Sequence, residues 1–105
     1  MSIGQTLAVA VSGLKTNALK IHAAANNVVN QNSDGYRAVR IETVSRVTSR
    51  LATGGGVVTR LRADGEVDLA LEFTRMMEAQ AAYGANAEVI RTVEEMEREA
   101  VNIIA

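Results

Sequence analysis

The sequence contains no cysteine and no proline, and aromatic residues make up only 3% of its 105 residues. The lack of cysteine excludes disulfides, thiolate nucleophiles and cysteine-based metal sites. The lack of proline removes the commonest helix breaker. Aromatic side chains contribute the largest buried areas in protein cores. Their scarcity, in a chain long enough for one domain only, predicts a small core that does not stabilise the molecule by itself.

A strong net charge and a long apolar run are also missing. The 11 basic and 12 acidic residues give a formal charge of -1, which excludes a strong overall attraction to nucleic acid or to an anionic membrane. No apolar stretch approaches the roughly 20 residues that span a bilayer. Polar residues interrupt the first thirty positions, so we expect neither direct membrane insertion nor a cleaved signal peptide.

The residue types that carry catalysis form no recognisable constellation. His22 is the only histidine, and without cysteine or a nearby acid we interpret it as a helix-surface residue rather than a metal ligand. The glycines at 54–56 are not followed by Gly-Lys-Ser/Thr, so they indicate a turn rather than a phosphate loop. The glutamates between 94 and 99 are best explained as a solvated helix face. We therefore predict no enzyme, no cofactor, no metal and no small-molecule substrate.

Charge is divided unevenly along the chain. Residues 1–33 hold two lysines and no acid, residues 34–65 hold six arginines and three acids, and residues 66–105 hold nine acids and three arginines. A basic and an acidic end favour side-by-side pairing. The six arginines of the middle part also allow a nucleic-acid or lipid contact, but only Tyr36 is available there for base stacking. Subunit contacts or solvation explain them better, and we predict no nucleic-acid partner.

Apolar residues at heptad spacing predict a helix at each end of the chain. In the first helix they are Leu7, Leu14, Ile21 and Val28, and the Asn- and Gly-rich run 30–35 is expected to end it. Asp68 is the expected N-cap of the second helix. This helix has two apolar stripes. The first comprises Leu69, Phe73, Met76, Tyr83, Ala87, Ile90, Val101 and Ile104. The second comprises Val89, Val93, Met96, Ala100 and Ile103.

The middle of the chain has strand periodicity. Val39, Ile41 and Thr43 alternate with polar residues, which is typical of a half-buried strand. The glycines at 54–56 interrupt the chain before a second apolar run. A short β-hairpin that turns at these glycines is the simplest interpretation.

These elements predict a mainly α fold in which two long terminal helices form an elongated, coiled-coil-like hairpin. Helices of 30 to 36 residues would be about 45 to 54 Å long, longer than the diameter of a compact domain of this size. We therefore expect one structural domain with an N-terminal helix in 1–33, a small β lobe in 34–65 and a C-terminal helix in 66–105. A hairpin covers one stripe per helix, so other subunits must cover the rest.

Both ends also resemble a known family. Ser12-Gly13-Leu14 and the run 25–37, Ala-Asn-Asn-Val-Val-Asn-Gln-Asn-Ser-Asp-Gly-Tyr-Arg, resemble the N-terminal signature of bacterial flagellar rod and hook proteins. The stretch 67–96, with Glu72-Phe73, Ala79-Gln80, Tyr83 and Asn86, resembles the C-terminal signature of the same family. The linking stretch of 28 residues from Ala38 to Gly65 resembles the short link of proximal-rod proteins.

The resemblance implies a structural subunit of the basal-body rod, exported without a cleaved signal through the flagellar type III apparatus. Its partners would be copies of itself, other rod proteins and the export apparatus, and its location the periplasmic rod. The expected assembly interface comprises Leu7, Leu14, Ile21, Val28, Phe73, Met76, Tyr83, Ile90, Val93, Met96, Val101 and Ile104. The expected family-motif turn comprises Asn27, Asn30, Gly35 and Tyr36.

Two other functions are compatible with the same stripes. A soluble coiled-coil adaptor would form a stable helical dimer or tetramer. An amphipathic protein of the membrane surface would gain helix on anionic vesicles.

Overall fold

The computed structural model describes residues 3–46, 56–63 and 65–104. Two long helices and a two-stranded antiparallel ribbon follow one another in the order α1, β1, β2, α2. The helices pack against each other, and the ribbon packs against α1. The predicted mainly α hairpin with a small β element between its helices is therefore confirmed.

Helix α1 spans Ile3–Val29 and ends where the Asn-rich run begins. The amide of Ser33 donates a hydrogen bond to the carbonyl of Asn30 (2.9 Å), and the chain then reverses direction at Gly35. Gly35 has a φ of 69°, in the left-handed region that residues with a β-carbon seldom adopt. Small polar residues and one glycine thus end the helix within a few residues, as the sequence predicts.

The ribbon consists of β1, Val39–Arg46, and β2, Gly56–Ala63. The strands pair in antiparallel register from Val39 opposite Ala63 to Arg46 opposite Gly56. Gly56 therefore belongs to a strand, whereas the predicted turn at Gly54 and Gly55 lies outside the described residues. At the base of the ribbon the amide of Ala38 donates a hydrogen bond to the carbonyl of Gly65 (2.9 Å).

Helix α2 spans Leu69–Ile104. Asp68 caps it, because the amide of Leu71 donates to Asp68 Oδ1 (3.3 Å) and the amide of Glu72 donates to the Asp68 carbonyl (2.9 Å). The predicted N-cap is thus confirmed. At 1.5 Å per residue, α2 is about 54 Å long and α1 about 40 Å.

The molecule is elongated, with extents of 62 × 28 × 14 Å and a Cα radius of gyration of 17.5 Å. A compact domain of this length would have a radius of gyration of about 13 Å. Among the residues that the structure describes, the buried apolar side chains are correspondingly few and small: Ala10, Ala24, Ala38, Ala79 and Val93. A core made mostly of alanine lets the helices approach closely but removes little apolar area from water.

The antiparallel helices are in a constant register, and α2 is the longer of the two. Asn27 contacts Glu72, and Gly13 contacts Asn86, fourteen residues further along both helices. Continued by ten residues, this register places Ile3 level with Met96. Residues 97–104, which we call the overhang, therefore extend about 12 Å past the described part of α1.

Candidate functional site

Buried and half-buried polar side chains join the end of α1, the start of β1 and the first turn of α2. We call this set the polar junction; it comprises Asn27, Tyr36, Arg40 and Glu72. The side chains of Asn27 and Glu72 are completely buried, with 0% exposure. Buried polar groups are costly unless they are hydrogen-bonded, so the contacts of these two residues decide whether the junction stabilises the fold.

Asn27 uses all of its hydrogen-bonding capacity. Its Nδ2 donates to the Val39 carbonyl (2.9 Å) and to Glu72 Oε2 (3.1 Å). Its Oδ1 accepts from the Val39 amide (2.8 Å) and the Tyr36 hydroxyl (2.7 Å). One side chain therefore pairs with β1 as a neighbouring strand would, and at the same time connects α1 to α2.

Glu72 balances its buried charge with a cation. Arg40 Nη1 lies 2.6 Å from Glu72 Oε1, while Asn27 occupies the other carboxylate oxygen. A charge-assisted bond of this length is stronger than a neutral hydrogen bond. Because Arg40 comes from β1, this pair attaches the ribbon to α2.

The structure brings together only part of the predicted family-motif turn. Asn27 and Tyr36 are hydrogen-bonded to each other. Asn30 lies further out, where its Nδ2 donates to the Asn26 carbonyl (2.9 Å) and its Oδ1 accepts from the Ser33 hydroxyl (3.1 Å). Gly35 contributes its left-handed backbone. Two of the four residues thus belong to the polar junction, and the other two shape the turn beside it.

Sequence reasoning missed the inward roles of Arg40 and Glu72. Arg40 is one of the six arginines that we attributed to subunit contacts or solvation, and Glu72 is noted in the sequence only as part of the C-terminal motif. The available signal was spacing, because Glu72, Ala79 and Val93 lie on one heptad row and all three are buried. An acid on the same heptad row as Ala79 and Val93, which face the other helix, indicates a buried partner for its charge.

Gly13 marks a close approach of the two helices. A β-carbon at this position would lie 2.8 Å from Asn86 Oδ1 and 2.9 Å from Asn86 Nδ2. Asn86 itself is held by a hydrogen bond from Nδ2 to the Ala82 carbonyl (3.0 Å). Gly13 belongs to the N-terminal motif and Asn86 to the C-terminal motif, so two distant parts of the resemblance meet at one contact.

The predicted interface residues are distributed over three environments. Val93 is buried within the protomer, and Leu7, Leu14, Ile21, Val28, Met76 and Ile90 are half-buried. Phe73, Tyr83, Met96, Val101 and Ile104 are exposed. The innermost row of α1 is instead Ala10, Asn17 and Ala24, so the large aliphatic row lies at the edge of the helix contact.

The outer face of α2 is polar and charged near its middle. Arg91 forms ion pairs with Glu88, one turn before it, and with Glu95, one turn after it (3.0 Å to Glu95). The Arg91 hydrogen bond and charge lower the pKa of Glu88, and Glu88 in turn raises the pKa of Arg91. The stabilisation linked to Glu88 is therefore lost as the pH falls through its lowered pKa. All three side chains are exposed, so this ion-pair set is a solvated face.

A cleft of about 350 Å³ opens where the ribbon, α1 and α2 meet. Its apolar lining consists of Ala23, Ala24, Val39, Ile41, Ala79 and Ala82; its polar lining consists of Asn17, Lys20, Arg40, Glu72, Arg75 and Glu78. Three cations and two acids thus surround an alanine-rich floor. We refer to this site as the cleft.

Two kinds of site are not found in the part of the chain that the structure describes. Within residues 3–46, 56–63 and 65–104, no three histidine, aspartate or glutamate side chains group as metal ligands would. Neither described helix has the length and apolar character that crossing a bilayer requires.

Comparison with known proteins identifies the C-terminal part of the chain. Residues 66–103, which include nearly all of α2, match the family model described as flagellar basal body rod FlgEFG protein C-terminal. Comparison with curated proteins gave no match. The matched segment contains Glu72 of the polar junction and Asn86 of the close helix contact. This match confirms the resemblance of the C-terminal motif: the second helix and the residues just before it are similar to the C-terminal segment of flagellar basal-body rod proteins.

Proposed function

We propose that this protein is a rod subunit that polymerises through its two helices into a helical tube. The tube would transmit torque and enclose the export channel, and the subunit would reach it uncleaved through the flagellar export apparatus. Its partners would be copies of itself and other rod proteins. In this proposal the chain carries no catalytic group, because its polar interior is used to join α1, β1 and α2.

The observation that carries the proposal is the amount of apolar side chain left exposed on α2. Met77 and Val101 are each 64% exposed, and Ile103 and Ile104 are 81% and 85% exposed. Val101, Ile103 and Ile104 lie together at the end of α2, and an exposed apolar cluster of this kind marks a contact with a partner. Exposure along the length of one helix is compatible with neighbours on several sides, as in a tube.

Folding would then be coupled to assembly. The protomer's core is nearly all alanine, and isolated helices are marginal in water without tertiary partners. A subunit in transit would be loosely helical and would acquire its full structure when neighbours cover the exposed stripes. Head-to-tail contacts that do not close generate helical polymers.

The experiment combines circular dichroism of the dilute protein with electron microscopy of the concentrated protein. We expect helix content to rise with concentration, and tubes or rings to appear in the concentrated sample. Dilute protein that is already fully helical, and that stays dimeric or tetrameric at every concentration, would support the coiled-coil adaptor instead. Helix gained only on addition of anionic vesicles would support a membrane-surface protein.

A further inference from the structure

The overhang ends α2 with an apolar face that its own protomer does not cover. Ala100 and Ile104 lie seven and eleven residues after the buried Val93, so they continue the face of α2 that packs against α1. Beyond the described start of α1 this face is exposed. The contact surface of α2 is therefore longer than the helix that it contacts.

The overhang as a whole carries a net charge of -1 from its side chains. Glu97 and Glu99 flank Arg98 in the overhang, and the last turn of α2 holds no Lys or Arg. The carboxyl end of a helix carries a partial negative charge that is stabilised by nearby cations. The overhang thus requires a partner surface that is apolar and carries basic groups at its edge.

The cleft has these properties at the other end of the molecule. Its floor is formed by alanine, valine and isoleucine, and Lys20 and Arg75 lie at its lining. Arg40 is already paired with Glu72, whereas neither Lys20 nor Arg75 forms an ion pair with any residue in 3–46, 56–63 or 65–104. The three basic and two acidic residues of the lining together give the cleft a net positive charge.

We propose that the overhang of one copy docks in the cleft of the next copy, with its apolar face on the alanine-rich floor and Glu97 near Lys20 and Arg75. The overhang cannot reach its own cleft, because Ile103 and Ala82 are 21 residues apart on one helix, or about 31 Å. The overhang and the cleft lie at opposite ends of the molecule, so the contact between copies is head-to-tail. Such a contact adds one copy after another and forms an open polymer instead of a closed dimer. This inference rests on the proposed polymerisation and names the surfaces that perform it.

The first test uses the absence of native cysteine. A disulfide requires α-carbons within about 7 Å, so Cys pairs at Ile103→Cys and Ala82→Cys can form disulfides only between copies. We expect oxidation of assembled protein to give a ladder of dimers, trimers and higher species on a non-reducing gel. Ile103→Cys with Ala8→Cys is the matched control, because Ala8 lines a separate shallow groove on the outer face of α1.

The second test exchanges the charges. Lys20→Glu should raise the critical concentration for assembly roughly fivefold, the effect of about 1 kcal/mol from a lost surface ion pair. Adding Glu97→Lys to this variant should return the critical concentration to the wild-type value, because the ion pair is restored with its charges exchanged. Lys15→Glu makes the same charge change on the same helix outside the cleft, and should leave assembly unchanged.

The outcomes separate this inference from the proposed function. Wild-type protein that never assembles would overturn both. Wild-type protein that assembles while the Ile103/Ala82 pair gives no ladder would overturn the docking inference alone. A ladder from the Ile103/Ala8 control in place of the cleft pair would overturn it in favour of the outer groove of α1.

Discussion

At the residue scale, two side-chain contacts define the geometry of the hairpin. The polar junction fixes where α1, β1 and α2 meet, and the contact between Gly13 and Asn86 fixes how closely the helices approach further along. Both depend on close contacts, since Asn27 and Glu72 are fully buried and a β-carbon at Gly13 would displace the side-chain amide of Asn86. Substitutions at these positions therefore test the fold separately from assembly.

Replacing Glu72 by alanine should strongly destabilise the hairpin. The change removes the carboxylate that pairs with Arg40 and leaves one Asn27 amide hydrogen without its acceptor. Breaking a buried ion pair typically costs about 3–5 kcal/mol, a large share of the stability of a small domain. We expect a clear loss of the helical circular dichroism signal at 25 °C.

Glu88→Ala is the control for this substitution. It also removes a glutamate that pairs with an arginine on α2, but both partners are exposed. We expect the helical signal and the thermal midpoint of this variant to match the wild type. Equal effects of the two substitutions would show that burial of Glu72 does not matter for stability.

Replacing Gly13 by alanine should lower the thermal midpoint, whereas Gly84→Ala should raise it. Alanine gains about 1 kcal/mol of helix propensity over glycine at both positions. At Gly84 a β-carbon meets nothing within 4 Å, but at Gly13 it displaces the Asn86 amide. Displacing that amide breaks its hydrogen bond to the Ala82 carbonyl and crowds the helix contact, for which a cost of about 1–3 kcal/mol is typical.

Thermal unfolding followed by circular dichroism, at one protein concentration, measures the difference between the two glycine variants. That difference isolates the cost of the helix contact because the propensity gain is common to both. A Gly13→Ala midpoint equal to that of Gly84→Ala would contradict the close approach.

At the scale of the elements, α2 has different functions along its faces. One face packs on α1 through Glu72, Ala79 and Val93. A second face carries the exposed Arg91 ion pairs. Between them, Phe73 and Tyr83 are exposed at 49% and 39%, and this partly covered aromatic pair is available for a neighbouring subunit.

Phe73→Asp and Tyr83→Asp should block assembly and leave the hairpin helical. A charge at either position makes burial against a neighbour unfavourable, while much of each side chain already faces solvent in the protomer. Sedimentation of concentrated protein measures assembly, and circular dichroism measures helix content.

Ala81→Asp is the matched control for the aromatic pair. Ala81 is exposed and lies seven residues before Glu88, on the charged face of α2, so an added acid should be tolerated there. Assembly that is lost equally in all three variants would indicate a general effect of charge on α2 instead of a contact at the aromatic pair.

At the scale of the whole molecule, the sequence predicted the architecture but not which row of α1 residues faces α2. Asn30 to Gly35, Asp68 and the alternation at Val39 are local signals, and local chemistry determines where elements begin and end. The inner row of α1 depends on how closely the helices approach. Because Gly13 and small side chains such as Ala10 and Ala24 allow a short separation, the larger residues of the Leu14 row lie at the edges.

The polar junction could not be located from sequence for a related reason. Asn27 and Glu72 are 45 residues apart along the chain, and only the register of α1 against α2 brings them together. A one-turn shift of either helix would separate them while keeping both heptad patterns intact. Periodicity identifies which face is buried, but it does not identify the partner.

The hydrogen bond between Ala38 and Gly65 has a consequence for how new shapes arise on this scaffold. It brings the two ends of the intervening segment side by side. The segment therefore leaves the helical hairpin and returns to it at the same place. Lengthening a closed loop costs only about 0.6 kcal/mol per doubling. A much longer segment inserted at this point would therefore be tolerated, provided that it retains Arg40, which neutralises Glu72. The packing of the two helices would not depend on the length of the inserted segment.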